Sequence, residues 1–285
     1  MRMNSVTDIE IQLHHLLVAD GLISAETHWQ AQTGGRTNKV WRLRGTLDLI
    51  CKLYLDASEN PLYANTPLAE YECLRGLAGT DVAPDAHGFI ETPFGYVLLY
   101  HYIAGRVWDG DAAAVAALLG RVHALTPPSG LRVLSGNVGD VAAQGLDILD
   151  KIKDRNGREL HALRPDVSVD PTAPVLIHTD VVAGNLIYGE NGLRLIDWQC
   201  PALGDPVVDI AMFLSPAMHF IYGKSPLKSH EKDTFLDAIN PTLHLRYERV
   251  GLLYHWRMAA YCLWRSEQGM VDYSEAALLE IALLK

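Results

Sequence analysis

The first pattern along the chain is helical. Ile9, Leu13, Leu16 and Leu17 share one face of residues 5–19, and Asp20-Gly21 closes the segment. The spacing then becomes that of strands over 27–32, 39–44 and 47–55, with turns at Gly34-Gly35 and Gly45-Thr46. A helix over 68–78 carries Glu70, Leu74 and Leu77, and runs into the loop Asp81-Val82-Ala83-Pro84. Residues 94–103 are a continuous apolar and aromatic run, which reads as a buried strand ended by Ala104-Gly105. Beyond it the period is mostly helical. Val115, Leu118, Leu119, Val122 and Leu125 line one face of 112–125, and 141–163 holds one or two helices before a proline-bearing connection over 165–174. Two short apolar runs, Val175–Ile177 and residues 193–196, interrupt this region, and the turn signal Glu190-Asn191-Gly192 predicts a hairpin between them. Gly204-Asp205-Pro206 starts a helix with Asp205 as N-cap, continued by a core helix over 210–220. The pattern over 234–240 is helical up to Pro241, that over 249–266 is helical and apolar nearly all round, and a last helix covers 274–284.

Bulk properties narrow the function classes. A chain of 285 residues with 49% hydrophobic and 20% charged residues is an ordinary globular composition, long enough for one large domain or two lobes. The net charge of −10 argues against a nucleic-acid surface. Cys51, Cys73, Cys200 and Cys262 are scattered, which suits reduced, buried thiols rather than a zinc site or disulfide frame. With no apolar leader segment and no run of about 18 apolar residues, the expectation is a cytoplasmic protein without membrane or protein partners.

The chemistry concentrates after residue 177. His178-Thr179-Asp180 ends one apolar run, Asn185 follows, and Asp197 ends the next. With 12 His, 21 Asp and 9 Asn in the chain, chance supplies roughly 0.03 matches to the spacing H-x-D-x-x-x-x-N. That spacing, followed by a strand ending in aspartate, is the arrangement of kinase-type phosphoryl transfer. One carboxylate orients the attacking hydroxyl and accepts its proton. A carboxamide and a second carboxylate are hard oxygen ligands for Mg²⁺ against the phosphates. Upstream, Gly34-Gly35-Arg36-Thr37-Asn38 can bring backbone N–H groups to phosphate oxygens, and Lys52, in the apolar setting Ile50-Cys51-Lys52-Leu53, needs a partner.

The segments HTDVVAGNLI, LRLIDWQ and GDPVVDIA resemble the aminoglycoside phosphotransferase and choline kinase superfamily, and GG-x-T-N resembles the phosphate-covering loop of its choline- and thiamine-kinase-like members. The resemblance implies an α+β, bilobal protein-kinase-like fold: a small antiparallel N-terminal nucleotide lobe over about 1–100, a hinge at about 98–105, and a mainly helical lobe over 101–285. It implies an ATP-dependent phosphotransferase, with GTP as the alternative donor, acting with Mg²⁺ on a hydroxyl of a small molecule. Asp180 is then the catalytic carboxylate, with His178 orienting its loop. Asn185 and Asp197 hold the metal. Gly34, Gly35, Thr37 and Asn38 cover the phosphates, Lys52 contacts them, and Glu70, ranked above Glu72, holds Lys52. The backbone near His101 and Ile103 receives adenine, and Asp209 braces the catalytic loop. His123 and the aromatic Trp256, Tyr261 and Trp264 read as core, although in this superfamily the C-terminal helices line the acceptor pocket. The favoured acceptor is a choline-, ethanolamine- or thiamine-like amino alcohol, ahead of an aminoglycoside or a sugar. Two readings from other classes are a nucleotide-binding regulator without catalysis and a metal-dependent phosphoesterase using His178, Asp180 and Asp197 as ligands.

Overall fold

The computed structural model describes residues 6–32, 37–55, 60–153 and 155–285. Five antiparallel strands form the N-terminal sheet: β1 (His28–Ala31), β2 (Lys39–Arg44), β3 (Asp48–Leu53), β4 (Ala86–Thr92) and β5 (Gly95–His101), in the order β1-β2-β3-β5-β4. Alternation along the central β3 decides what lies on each face. Leu49, Cys51 and Leu53 pack with Val97 and Leu99 beneath Leu13 and Leu17 of helix α1 (Val6–Ala19). Ile50 and Lys52 point the other way, towards helix α2 (Pro67–Gly76), whose Cys73 and Leu74 share a core with Ile50 and Leu98. Both faces of β3 are therefore buried, which explains its near-continuous apolar sequence with one lysine in it.

The strand β4 has no counterpart in the sequence reading. Its segment AHGFIET is only partly buried at the sheet edge, and its pairing with β5 shifts register between Ala86 and Gly88, so no clean alternation marks it. The expected hairpin also differs. The turn at Glu190-Asn191 joins β9 (Leu186–Gly189) to β10 (Gly192–Leu195), with β6 (Arg106–Val107) beside β9. The run Val175–Ile177, strand β8, instead pairs with β11 (Ala202–Gly204) in a second small sheet completed by β7 (Arg132–Val133). Residues 178–185 thus connect two sheets, and cross from one to the other at the H-x-D-x-x-x-x-N motif.

Helices make up the rest: α3 (Ala112–Ala124), α4 (Val138–Leu149), α5 (Arg155–Ala162), α6 (Val207–Leu214), α7 (Pro216–Ile221), α8 (Ser229–Ala238), α9 (Pro241–Glu267) and α10 (Asp272–Ala282). The single core helix expected over 210–220 is two. Pro216 cannot continue α6, and the Ser215 hydroxyl accepts from Met218 N to cap α7. Pro241 likewise starts α9 rather than only ending the helix before it, with the Asn240 side chain as cap. The N-cap of α6 is Pro206 rather than Asp205, whose carboxylate, one residue earlier, accepts from Val207 N at 3.0 Å. The long helix α9 is the spine against which α4, α6 and α10 pack. Gly145 lets α4 approach it, because a Cβ there would lie 2.2 Å from the buried Trp256 ring. The four cysteines are free and buried, and among the described residues no helix is long and apolar enough to cross a membrane.

Candidate active site

The H-x-D-x-x-x-x-N motif is held from below by a buried aspartate. Asp209, on the first turn of α6, accepts from the backbone N–H of His178 at 3.1 Å and of Thr179 at 2.7 Å, and His123 on α3 meets the same carboxylate at 2.9 Å. Both nitrogens of His178 are engaged. Nδ1 accepts from Asp180 N at 3.2 Å, leaving Nε2 to donate to the Ile196 carbonyl at 3.0 Å. Burial lowers its pKa, in keeping with a neutral ring. A histidine bonded in this way ties the Asp180 loop to the strand end before Asp197, and has no nitrogen left for a metal. Ile196 N also donates to the Asn185 carbonyl at 2.9 Å, so residues 178, 185 and 196 are drawn together. Thr179 and Asp197 have φ of 71° and 63°, the left-handed region that non-glycine residues avoid. Strain at these two positions is sustained only by such surrounding bonds.

Asp180 lies half-buried in a cavity of about 840 Å³. Burial, reinforced by the nearby Asp197 charge, pushes its pKa up to about 7. Asn185 donates through Nδ2 to the Asp180 carbonyl and carboxylate, at 3.0 Å each, which leaves its Oδ1 as the free acceptor. Asp197 gives one oxygen to Lys52, and its other has no hydrogen-bond partner among the described residues. One amide oxygen and one carboxylate oxygen beside a second carboxylate are a donor set that fits a hard divalent cation such as Mg²⁺.

Lys52 bridges the sheet to this region. Its ammonium is buried, 2.7 Å from Glu70 Oε2 and also bonded to Asp197. Burial alone depresses a lysine pKa, but the Asp197 and Glu70 carboxylates more than reverse that and hold it well above the ordinary value. Burial raises the Glu70 pKa, a rise that Lys52 opposes. Tyr54, unmarked in the sequence, donates its hydroxyl to the same Glu70 oxygen. Glu72 is exposed and pairs with Arg75, so Glu70 is the lysine's partner on α2.

The other residues expected on the nucleotide side fall in several places. Gly34 and Gly35 lie outside the described residues, and Thr37 lines the cavity. The Asn38 amide is engaged in a reciprocal pair with Asn65, at 2.9 and 3.0 Å, and donates to Gln199 at 3.1 Å, tying β2 to the loop after Asp197. The His101 side chain is exposed while its backbone N–H donates to the Asp85 carbonyl, and Ile103 packs against Gly189. The far wall of the cavity carries Tyr63, Tyr222, Tyr261 and Tyr273 together with Arg265. Trp256 is core, as its period suggested, with its indole N–H on the Leu160 carbonyl, whereas Tyr261 of the same helix opens on the cavity. Tyr63 and Tyr222 sit in segments whose sequence carries no motif; only a folded chain brings them beside Asp180.

Solved structures with this architecture span several acceptors. The chain aligns with a choline/ethanolamine kinase family protein from Mesorhizobium loti at 15% identity, covering 97% of this chain and 93% of that one with a TM-score of 0.66. A macrolide 2'-phosphotransferase from Brachybacterium faecium aligns at 18% identity over 94% and 95% of the two chains, with a TM-score of 0.58. A spectinomycin phosphotransferase, solved with ADP and spectinomycin, aligns at 17% identity over 95% and 97%, with a TM-score of 0.60. No curated protein matches the sequence. Residues 28–239, which span the sheet, the Lys52 cluster and the whole catalytic motif, match the phosphotransferase enzyme family, and the chain belongs to that family.

Proposed function

We propose that the protein transfers the γ-phosphoryl group of ATP to a hydroxyl of a small molecule, with Asp180 as the catalytic carboxylate. The observation that carries this reading is Lys52, buried between Glu70 and Asp197, on the far side of the same carboxylate cluster as Asp180. In that arrangement Lys52 contacts the nucleotide phosphates. The Gly34 to Asn38 loop covers them, and the backbone of the 98–105 hinge, near His101 and Ile103, receives the base. The sheet to about residue 100 is then a nucleotide lobe, and 101–285 the catalytic lobe. Asn185 and Asp197 would hold Mg²⁺, which when bound neutralises phosphate charge. Asp180 accepts a hydrogen bond from the acceptor hydroxyl, orients its lone pair at phosphorus and takes the proton late. Catalysis here is positioning and charge compensation rather than covalent chemistry by the protein.

Towards the acceptor, the tyrosine wall supports a cationic nitrogen on the molecule, as in the choline, ethanolamine or thiamine kind, because aromatic faces attract an ammonium group; a hydroxylated amino acid carries such a nitrogen together with an acid group. Asp180 is the only carboxylate among the described residues lining the cavity, which gives a polycationic aminoglycoside little to bind. A phosphoesterase would need a His178 nitrogen that is already committed to backbone bonds. The test is Mg²⁺-dependent ADP release from ATP over a panel of amino alcohols, sugars and aminoglycosides, beside Asp180→Ala. Stimulation by one acceptor, reduced about 10²- to 10⁴-fold in the variant, is the expected result. ATP binding with no acceptor turnover in any arm would favour the inactive regulator instead.

A further inference from the structure

We propose that the acceptor carries an oxyanion, a carboxylate or phosphate group, beside the hydroxyl that Asp180 addresses, and that Arg265 on α9 receives it. The inference rests on the kinase reading for the hydroxyl, and on the cavity's charge for the oxyanion. The charged side chains among the described residues lining the cavity are Asp180, Arg265 and Lys151, so cations outnumber the carboxylate. Arg265 has no salt-bridge partner among the described residues. Its Nε is buried without a hydrogen bond, and its guanidinium rests over the rings of Trp264 and Tyr273, at 5.9 and 5.5 Å. A guanidinium has five N–H donors in a planar fork shaped for a two-oxygen anion. Arg265 is half-buried, and a cation without a counter-ion that lines the same cavity as Asp180 marks where a ligand supplies the counter-charge.

A second arginine repeats the pattern. Arg257, Tyr261 and Arg265 recur at four-residue spacing, which places them along one face of α9. Tyr261 packs edge-on against Tyr63, with ring centroids 5.2 Å apart. Arg257 also has no carboxylate partner among the described residues. It donates to the Gln144 amide oxygen at 2.6 Å, and its Nε is buried and unbonded in a small side cavity that shares Tyr63 with the main one. Arg132 lies close enough to repel it. The wall opposite the nucleotide side is thus aromatic and positively charged, a surface for a small hydroxylated acid.

The experiment uses the whole chain. Thermal shifts are recorded with Mg-ATP alone, and separately with glycerate, malate, serine, glucose 6-phosphate, inorganic phosphate, choline, ethanolamine and glycerol; the same compounds then serve as acceptors for ADP release. The expected result is stabilisation and turnover by members of the acid group, carboxylates or phosphates, above choline, ethanolamine and glycerol. Arg265→Gln should raise KM for the best acid at least tenfold with a smaller effect on kcat, while the KM for ATP stays put, and Arg265→Lys should recover part of the loss. Best turnover with a non-acid acceptor, or an acid KM unmoved in Arg265→Gln, would overturn the proposal. Failure of Mg-ATP to bind would sink the kinase reading instead, and the acid arms of the shift assay would still decide whether the cavity takes an oxyanion.

Discussion

A single lysine joins the two halves of the site, and its neighbours set how costly it is to disturb. Lys52 is held by two carboxylates, of which Glu70 is buried with it and Asp197 is 35% exposed. Removing one member of a buried ion pair leaves the other without compensation, which costs about 3–5 kcal/mol. Glu70→Ala should fall at the lower end of that range, since Asp197 still faces the ammonium, and a urea titration checks it. A loss under about 1 kcal/mol would mean that Glu70 contributes little to holding Lys52. Asp180 gives a pH-dependent counterpart. In metal-free protein its carboxyl titrates near 7, against about 3.9 in an unfolded chain. Between those values the folded state binds the proton more tightly than the unfolded state. Stability contributed by this group therefore falls as pH rises from about 4 to about 7, and is level above that. Asp180→Asn removes the penalty. Its melting temperature should exceed that of the parent protein at pH 8 and converge with it towards pH 4; a difference that does not change with pH would rule the explanation out. At this scale the sequence was most legible. The spacing of His178, Asp180, Asn185 and Asp197 is enforced by chemistry and can be read linearly. Tyr54 could not be found that way, because its link to Glu70 spans two elements and no local pattern records it.

Among the elements, the join between β8 and β9 matters most, and a residue outside it holds it in place. Asp209 accepts from two buried backbone N–H groups, those of His178 and Thr179. An orphaned buried donor costs about 1–3 kcal/mol, so Asp209→Ala should destabilise the protein by about 3 kcal/mol and lower kcat, since Thr179 would no longer be held at positive φ. Asp209→Asn, which keeps one acceptor oxygen, should be intermediate in both. Unchanged kcat in a destabilised Asp209→Ala protein would show that the brace serves stability alone. Gly105 is another fixed point: a Cβ there would stand 1.9 Å from the Tyr188 carbonyl oxygen, where β6 meets β9. Gly105→Ala must part those strands, at about 2 kcal/mol, measurable as a lowered denaturation midpoint. The apolar run over 94–103 announced its own end at this glycine, but not the close backbone approach that requires it. The same limit explains the two misread connections. Period and turn signals identify a turn at Glu190-Asn191, yet pairing partners are set by the whole fold, so the hairpin goes to Leu186–Gly189 instead of Val175–Ile177. The edge strand at Ala86–Thr92, half-buried and bulged, carries too little periodicity to be seen before its neighbours are in place.

For the molecule as a whole, the consequence is that the proposed nucleotide site draws on both the sheet and the helical part. The Lys52–Asp197 pair crosses between them, and the contact of Asn38 with Gln199 runs parallel to it. A ligand contacting both sides binds the folded chain and not the unfolded one, so it stabilises the protein by mass action, about 2.7 kcal/mol at one hundred times its Kd. For a chain of this size, each kcal/mol moves the melting temperature by roughly 2–4 °C, so saturating Mg-ATP should raise it by roughly 5–10 °C. Asp197→Ala removes a carboxylate from the interior of that site and leaves Lys52 its Glu70 partner, so the fold should survive with an unchanged circular dichroism spectrum. The Mg-ATP shift and turnover should both be lost. If the variant kept its full thermal shift, the nucleotide would have to bind somewhere that Asp197 does not reach, and the assignment of Lys52, Asn185 and Asp197 to one phosphate site would fall with it. If the shift vanished without Mg²⁺ even in the parent protein, the oxygen pair of Asn185 and Asp197 would be acting as the argument from its donor set requires.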